Sequence, residues 1–158
     1  VKRMVDEEIP VMAHIGLTPQ SVHKLGGYRV QGKTTDDAQR LIEDAKLLEE
    51  AGAFAIVLEL VPREIAEIIT REVKISTVGI GAGPSCDIQV LVLHDLIGFT
   101  FGRQPRFVRQ YANVSQVITD AISEWMDDVR SGEYPNESES YGMPEKVKLD
   151  ELISTSAR

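Results

Sequence analysis

Cysteine is almost absent from this chain. Cys86 is the single one among 158 residues, which excludes an internal disulfide and fits a reducing compartment. Positive charge is also short. There are 17 Lys and Arg against 25 Asp and Glu, a formal net charge of -8. A surface of that sign repels phosphate backbones and argues against a nucleic-acid reader. No apolar run approaches the roughly 18–20 residues of a membrane span, and no leader-type segment opens the sequence. These absences lead us to expect a soluble, cytoplasmic protein that neither enters a membrane nor binds nucleic acid. His, Cys, Asp and Glu never fall at a recognisable metal-ligand spacing, and there is no internal repeat. What is plentiful is apolar material: 42% hydrophobic residues is enough for a real core in a chain of this length, so disorder throughout is excluded.

The chain alternates short apolar runs with helical periodicity. Val1–Glu8 carries Val1, Met4 and Val5 at i, i+3, i+4, the closing turns of a helix whose beginning is missing, which suggests that further chain precedes it. Ile9–Leu17 is a nearly continuous apolar run of the kind buried on both faces of a parallel sheet. Asp36–Ala51 is the clearest helix, with Thr35 as expected N-cap and Gly52 as its stop. Ala53–Val61 predicts a second strand, broken by one charge at Glu59, and Arg63–Val73 a helix opened by Pro62. Ile75–Ile80 and Gln89–Leu93 predict a third and fourth strand, and Val114–Val129 a last long helix stopped by Gly132. From Glu133 the composition turns to Ser, Glu, Pro and Asn, which predicts a polar tail over 133–158 with little order, apart from a short helix at Lys146–Ile153.

Strands alternating with helices imply an α/β fold with four parallel strands and right-handed crossovers. Four such strands make either a small open sheet or half of an eight-stranded barrel. All four look apolar on both faces and none looks like an edge, which favours a (β/α)8 barrel whose other half lies elsewhere. On this reading residues 1–132 are half of one barrel domain.

Few residues can carry chemistry. Gly27–Thr34 (GYRVQGKT) matches the phosphate-binding pattern G-x-x-x-x-G-K-[ST], but the polar Ser21–Gly26 precedes it where that loop needs a buried strand. A plain polar loop with glycines at its turns fits better. Glu59 lies near the C-terminal end of an apolar strand, where an unpaired carboxylate is costly. It either points to solvent or to Arg63, or serves an active site of the kind barrels carry at those ends, where a carboxylate suits proton abstraction beside a carbonyl. His14 occupies the corresponding place on the first strand and could equally be satisfied by neighbouring backbone. Gly79–Gly83 (GIGAG) allows close approach of a ligand or merely a tight turn. Cys86 has no base beside it and reads as an inert buried thiol. His94-Asp95 ends the fourth run, as a catalytic pair or, as we expect, a helix N-cap pair. Arg103, Arg106 and Arg109, with Phe107 and Tyr111, form a small basic group suited to an acidic partner or a phosphate.

Taken in order, these segments resemble a known family. Pro10–Gln20 (PVMAHIGLTPQ), Tyr28–Thr34 (YRVQGKT), Glu59–Pro62, Gly79–Gly83, Cys86-Asp87, Gln89–Val92, His94-Asp95, Phe107-Val108 with Tyr111-Ala112, and Arg130–Pro135 are together similar to ketopantoate hydroxymethyltransferase. The resemblance covers nearly all of residues 5–135 and matches the C-terminal half of that family. It implies a (β/α)8 barrel that moves a hydroxymethyl group from 5,10-methylenetetrahydrofolate to α-ketoisovalerate in pantothenate biosynthesis, with Mg²⁺ holding the keto acid. It further implies that Glu59 is the general base, that His14 lines the substrate pocket, and that the whole forms homo-oligomers. The family's metal ligands would lie in the N-terminal half, a partner this sequence does not contain, so no Mg²⁺ ligand is expected in this chain. Ile88 stands where the family has a small residue, which alters the loop after Gly83. Two other readings remain beside the enzyme: a non-catalytic half-barrel acting in binding or assembly, and a nucleotide binder through Gly27–Thr34.

Overall fold

Short β-rich runs separated by amphipathic stretches of ten to sixteen residues leave the chain one simple arrangement, strands side by side with helices laid across one face. The computed structural model describes residues 1–18, 30–102 and 104–144, and shows this arrangement. In chain order the elements are α1 (Lys2–Asp6), β1 (Met12–Gly16), α2 (Thr35–Glu50), β2 (Ala55–Glu59), α3 (Arg63–Glu72), β3 (Ser76–Ile80), β4 (Ile88–Gln89), α4 (Leu93–Leu96) and α5 (Val114–Ser131). The four strands form one sheet in the order β1-β2-β3-β4, every pair parallel. The chain divides into two compact units, Val1–Ala112 and the part from Asn113 onward.

Register decides which residues share a face. His14, Val57 and Val78 are level across β1, β2 and β3, and Gly16, Glu59 and Ile80 are level at the C-terminal ends. Because side chains alternate along a strand, Met12, His14, Val57, Glu59 and Val78 share one face, and Ile88, paired with Val78, joins them. The opposite face carries Ala13, Ile15, Ile56 and Leu58. These pack with Ala45 of α2 and with Ala66 and Ile69 of α3 into the core. Leu17, Ile56, Leu58, Val61 and Ile69 are fully buried, each contributing roughly 1.5–3 kcal/mol of apolar transfer.

Only the helix side of the sheet is thoroughly covered. Met12 is 49% exposed and Ile88 50%, so the expectation of strands buried on both faces fails at β1 and β4. The apolar composition of the open face is that of a surface built to be covered.

Two element boundaries also differ from the sequence reading. The cap of α2 is Thr34, whose hydroxyl accepts from the Asp37 N–H at 3.1 Å, and Thr35 is already helical. The run Gln89–Leu93 is not a strand. Only Ile88–Gln89 pairs with β3, Val92 is the N-terminal cap of α4, and His94 and Asp95 lie inside that helix. His94 and Asp95 are therefore not an N-cap pair. The His94 ring stacks on Phe99, and Asp95 accepts from the Thr100 hydroxyl at 2.6 Å, which closes the turn after α4.

Of the polar tail expected to lack order, the described part, 133–144, holds a 3₁₀ turn at Glu137–Glu139. Asn136 and Glu139 cap each other there. The expected helix at Lys146–Ile153 lies outside the described residues. Among the described residues no helix is long and apolar enough to cross a membrane.

Candidate active site

The C-terminal ends of β1 and β2 bring the two singled-out side chains together. Glu59 is the last residue of β2, with its side chain 15% exposed, and its Oε2 lies 3.2 Å from Nε2 of His14. His14 stands two residues below the strand end, paired with Val57 rather than Glu59. Its position therefore does not correspond to that of Glu59, and its ring reaches upward to meet the carboxylate. The same Nε2 lies 2.9 Å from the Leu17 carbonyl oxygen. A carbonyl can only accept, so that contact places the proton on Nε2, where it also faces Glu59. Arg63, the other partner considered for Glu59, is turned to Glu64 at 2.7 Å.

Backbone geometry fixes this corner tightly. The Leu17 N–H donates to the Glu59 carbonyl at 2.8 Å, which requires the chain to pass directly over Glu59 at Gly16. There φ is +89°, and a Cβ would come within 2.2 Å of that carbonyl oxygen. Only glycine fits. Leu60, immediately after Glu59, is held at φ 50°, the left-handed region that costs a non-glycine residue of order 1–3 kcal/mol. Two backbone bonds hold it: Leu60 N–H to the Ile80 carbonyl at 3.0 Å, and Gln31 N–H to the Leu60 carbonyl at 2.9 Å. Strain beside a partly buried carboxylate is the kind of feature that collects at functional sites.

A second cluster stands behind β3. Thr77 is completely buried, and the Asp87 carboxylate accepts from both its N–H at 2.8 Å and its hydroxyl at 2.9 Å. The Thr70 hydroxyl lies 3.0 Å from that of Thr77. The Thr77 N–H and then its hydroxyl hold the Asp87 carboxyl below the usual carboxylate range. Beside it, burial pushes the Cys86 thiol up, which suits the inert thiol expected from the sequence. The Thr77–Asp87 clasp was not among the candidates the sequence pointed to. Its available signal was a threonine inside the apolar run Ser76–Ile80.

The other sequence candidates separate from this corner. Gly27–Arg29 and Arg103 lie outside the described residues. In the remainder of the phosphate-loop match, Thr34 caps α2, and Asp36 and Asp37 occupy the first turn. Two carboxylates at a helix N-terminus oppose a phosphate there. Arg109 lies over the Tyr111 ring at 6.0 Å, and both line a cleft near the ends of β3 and β4. Among the described residues no three His, Cys, Asp or Glu side chains gather as metal donors, and His14 with Glu59 is a mutual pair rather than an open set of oxygens. The residues present do not by themselves fit a Mg²⁺ site.

Parallel strands backed by helices, with a carboxylate–imidazole pair at their C-terminal ends, define an α/β chain of the barrel class, whose sites lie at that end. The comparisons name the branch. Residues 1–137 match the family model described as ketopantoate hydroxymethyltransferase, and the chain belongs to that family. It is 52% identical to the 3-methyl-2-oxobutanoate hydroxymethyltransferase of Koribacter versatilis, over 94% of this chain and 50% of that protein. It is 54% identical to the one from Geobacter metallireducens, over 89% and 53%, and 52% identical to the one from Clostridium botulinum, over 92% and 53%. The chain thus spans about half the length of the curated relatives it matches, which is consistent with half a barrel.

Proposed function

We propose that this chain supplies the base-bearing half of a hydroxymethyltransferase barrel that converts α-ketoisovalerate to ketopantoate. The observation that carries the reading is the Glu59–His14 pair at the strand ends, a largely buried carboxylate with one imidazole 3.2 Å away. In this reading Glu59 takes the C3 proton of the keto acid. The resulting enolate carbon forms the new bond to the one-carbon unit of 5,10-methylenetetrahydrofolate. The two bonds from that carbon to the folate nitrogens break, a water supplies the hydroxyl group, and the proton taken by Glu59 and the second proton of the water end on the two nitrogens. His14, donating from Nε2 to the carboxylate 3.2 Å away, orients Glu59 toward the proton it takes.

Mg²⁺, which in this reading polarises the bound keto acid, is held by residues outside this chain, on the N-terminal half, and no step above is drawn through it. The same reading gives residues 1–132 to the barrel and 133–158 to the tail, with the whole assembling as a homo-oligomer in the cytoplasm. The open sheet face with Met12 and Ile88 supports the need for a companion half.

The test is ketopantoate formation by this chain assembled with an N-terminal half. Activity that Glu59→Gln abolishes is the expected result. Glu59→Gln with full activity would remove Glu59 as the base, and no activity in any assembly would favour a non-catalytic half-barrel.

A further inference from the structure

Among the described residues only Glu8 and Leu60 carry a side chain at positive φ, 61° and 50°. Glu8 follows the end of α1, where a left-handed residue ordinarily closes a helix. Leu60 follows a strand instead. A bulky aliphatic residue in the left-handed region is an outlier that its surroundings must enforce. It is also the residue directly after Glu59.

Contacts from four separate segments enforce it. The peptide joining Glu59 to Leu60 is gripped on both sides: its carbonyl accepts from the Leu17 N–H at 2.8 Å, and its N–H donates to the Ile80 carbonyl at 3.0 Å. The next carbonyl, that of Leu60, accepts from the Gln31 N–H at 2.9 Å. The fourth contact is made by the side chain. A Cβ on Gly81 would meet the Phe107 ring at 2.9 Å and Cδ2 of Leu60 at 3.1 Å, so these two half-buried side chains close together over bare backbone. Phe107 is itself held in a turn, in which the Val108 N–H donates to the Pro105 carbonyl at 3.0 Å.

We propose that Leu60, wedged against Phe107 over Gly81, is a positioning residue for the base. His14 fixes the tip of the Glu59 side chain, 3.2 Å away. Where the backbone of Glu59 stands is decided by the peptide that follows it, and the Leu60 side chain locks that peptide. A return of Leu60 to an ordinary negative φ would swing its side chain off Phe107 and turn its carbonyl away from Gln31. Glycine at this position would accept φ 50° without strain, but nothing would then tie residue 60 to Phe107, and the peptide beside Glu59 could turn. The proposal rests on the reading of Glu59 as the base, and it makes Phe107 part of the same device.

C3 proton exchange of α-ketoisovalerate by the complete barrel, without folate, tests it, with a urea midpoint measured on each variant. Leu60→Gly should slow the maximal exchange rate about 10- to 100-fold and leave the KM of the keto acid unchanged. It should not lower the urea midpoint, because relief of backbone strain offsets the lost packing. Phe107→Ala, which leaves residue 60 as it is, should also slow exchange, and Phe107→Leu should restore most of the rate. Since both changes act through one contact, the double variant should be no slower than Leu60→Gly alone. Should Leu60→Gly fail to assemble, the two Phe107 variants decide the matter. The proposal is overturned if either Leu60→Gly or Phe107→Ala exchanges at the unsubstituted rate, if the loss lies in KM alone, if Phe107→Leu is as slow as Phe107→Ala, or if the two losses multiply. Glu59→Gln separates the two failures. Exchange lost in Glu59→Gln but unchanged in the Leu60 and Phe107 variants removes this proposal alone, whereas exchange undiminished in Glu59→Gln, or absent from the unsubstituted barrel, removes the base reading and this proposal with it.

Discussion

Replacing Asp87 with alanine strips the buried Thr77 of both bonds it makes to the carboxylate, at 2.8 Å and 2.9 Å. Thr77 has no exposure at all, so water reaches its N–H only through the space that the Asp87 side chain leaves. Its hydroxyl keeps Thr70 at 3.0 Å, but its N–H is orphaned, at about 1–3 kcal/mol. Asp87 itself is exposed, so its own charge adds little once solvent screening is counted. The expected loss for Asp87→Ala is therefore about 2 kcal/mol. Thr77→Val keeps the N–H bond and should cost about 1 kcal/mol, and the two changes should couple, since they share a bond. The pH dependence has a definite sign. Folding holds the Asp87 carboxyl below its ordinary value of 3.8, through the Thr77 N–H first and the hydroxyl second. The ionised form is thus favoured in the folded state. Its stabilisation is complete above the ordinary value and disappears as the pH falls through the lower, folded-state value. Urea denaturation of wild type and the three variants at neutral pH and near pH 3 measures all of this. Equal stability of Asp87→Ala and wild type at neutral pH, or strict additivity in the double variant, would refute the reasoning.

Two further outcomes follow from the corner around Glu59. His14→Ala removes the donor 3.2 Å from the carboxylate and should slow C3 proton exchange about 10- to 100-fold without shifting the urea midpoint; an unchanged exchange rate would show that the imidazole does not position Glu59. Gly16→Ala drives a Cβ to 2.2 Å from the Glu59 carbonyl at φ +89° and should cost about 3 kcal/mol or more, read as a fall in melting temperature; a variant as stable as wild type would mean the chain can cross elsewhere.

Much of the fold was legible because its signals are local. The buried runs gave β1 to β3, and helical periodicity gave α2, α3 and α5, each close to its observed span. Where the reading failed, the deciding term was not local. Val90 and Val92 are apolar yet about half exposed, and pairing with β3 ends at Gln89, so an apolar run became a turn and a short helix. Two adjacent threonines offered two caps for α2, and only backbone geometry chose Thr34.

At the site, the sequence marked Glu59 and His14 but misjudged their relation. Register puts His14 two residues lower, and it is the reach of its ring that joins the two. The positive φ of Leu60 has no signature in the sequence, since it follows from how β2 turns at its end, and the Thr77–Asp87 clasp left only the faint mark of a threonine in an apolar run.

The central claim is that Glu59 is the base of a barrel this chain helps to form. The most direct measurement follows loss of the C3 proton signal of α-ketoisovalerate in D₂O by NMR, without folate, in the assembled barrel and in its Glu59→Gln and Glu59→Asp variants. The account predicts enzyme-dependent exchange that is lost in Glu59→Gln and retained at a reduced rate in Glu59→Asp, which keeps the carboxylate one methylene short. Exchange undiminished in Glu59→Gln would contradict it.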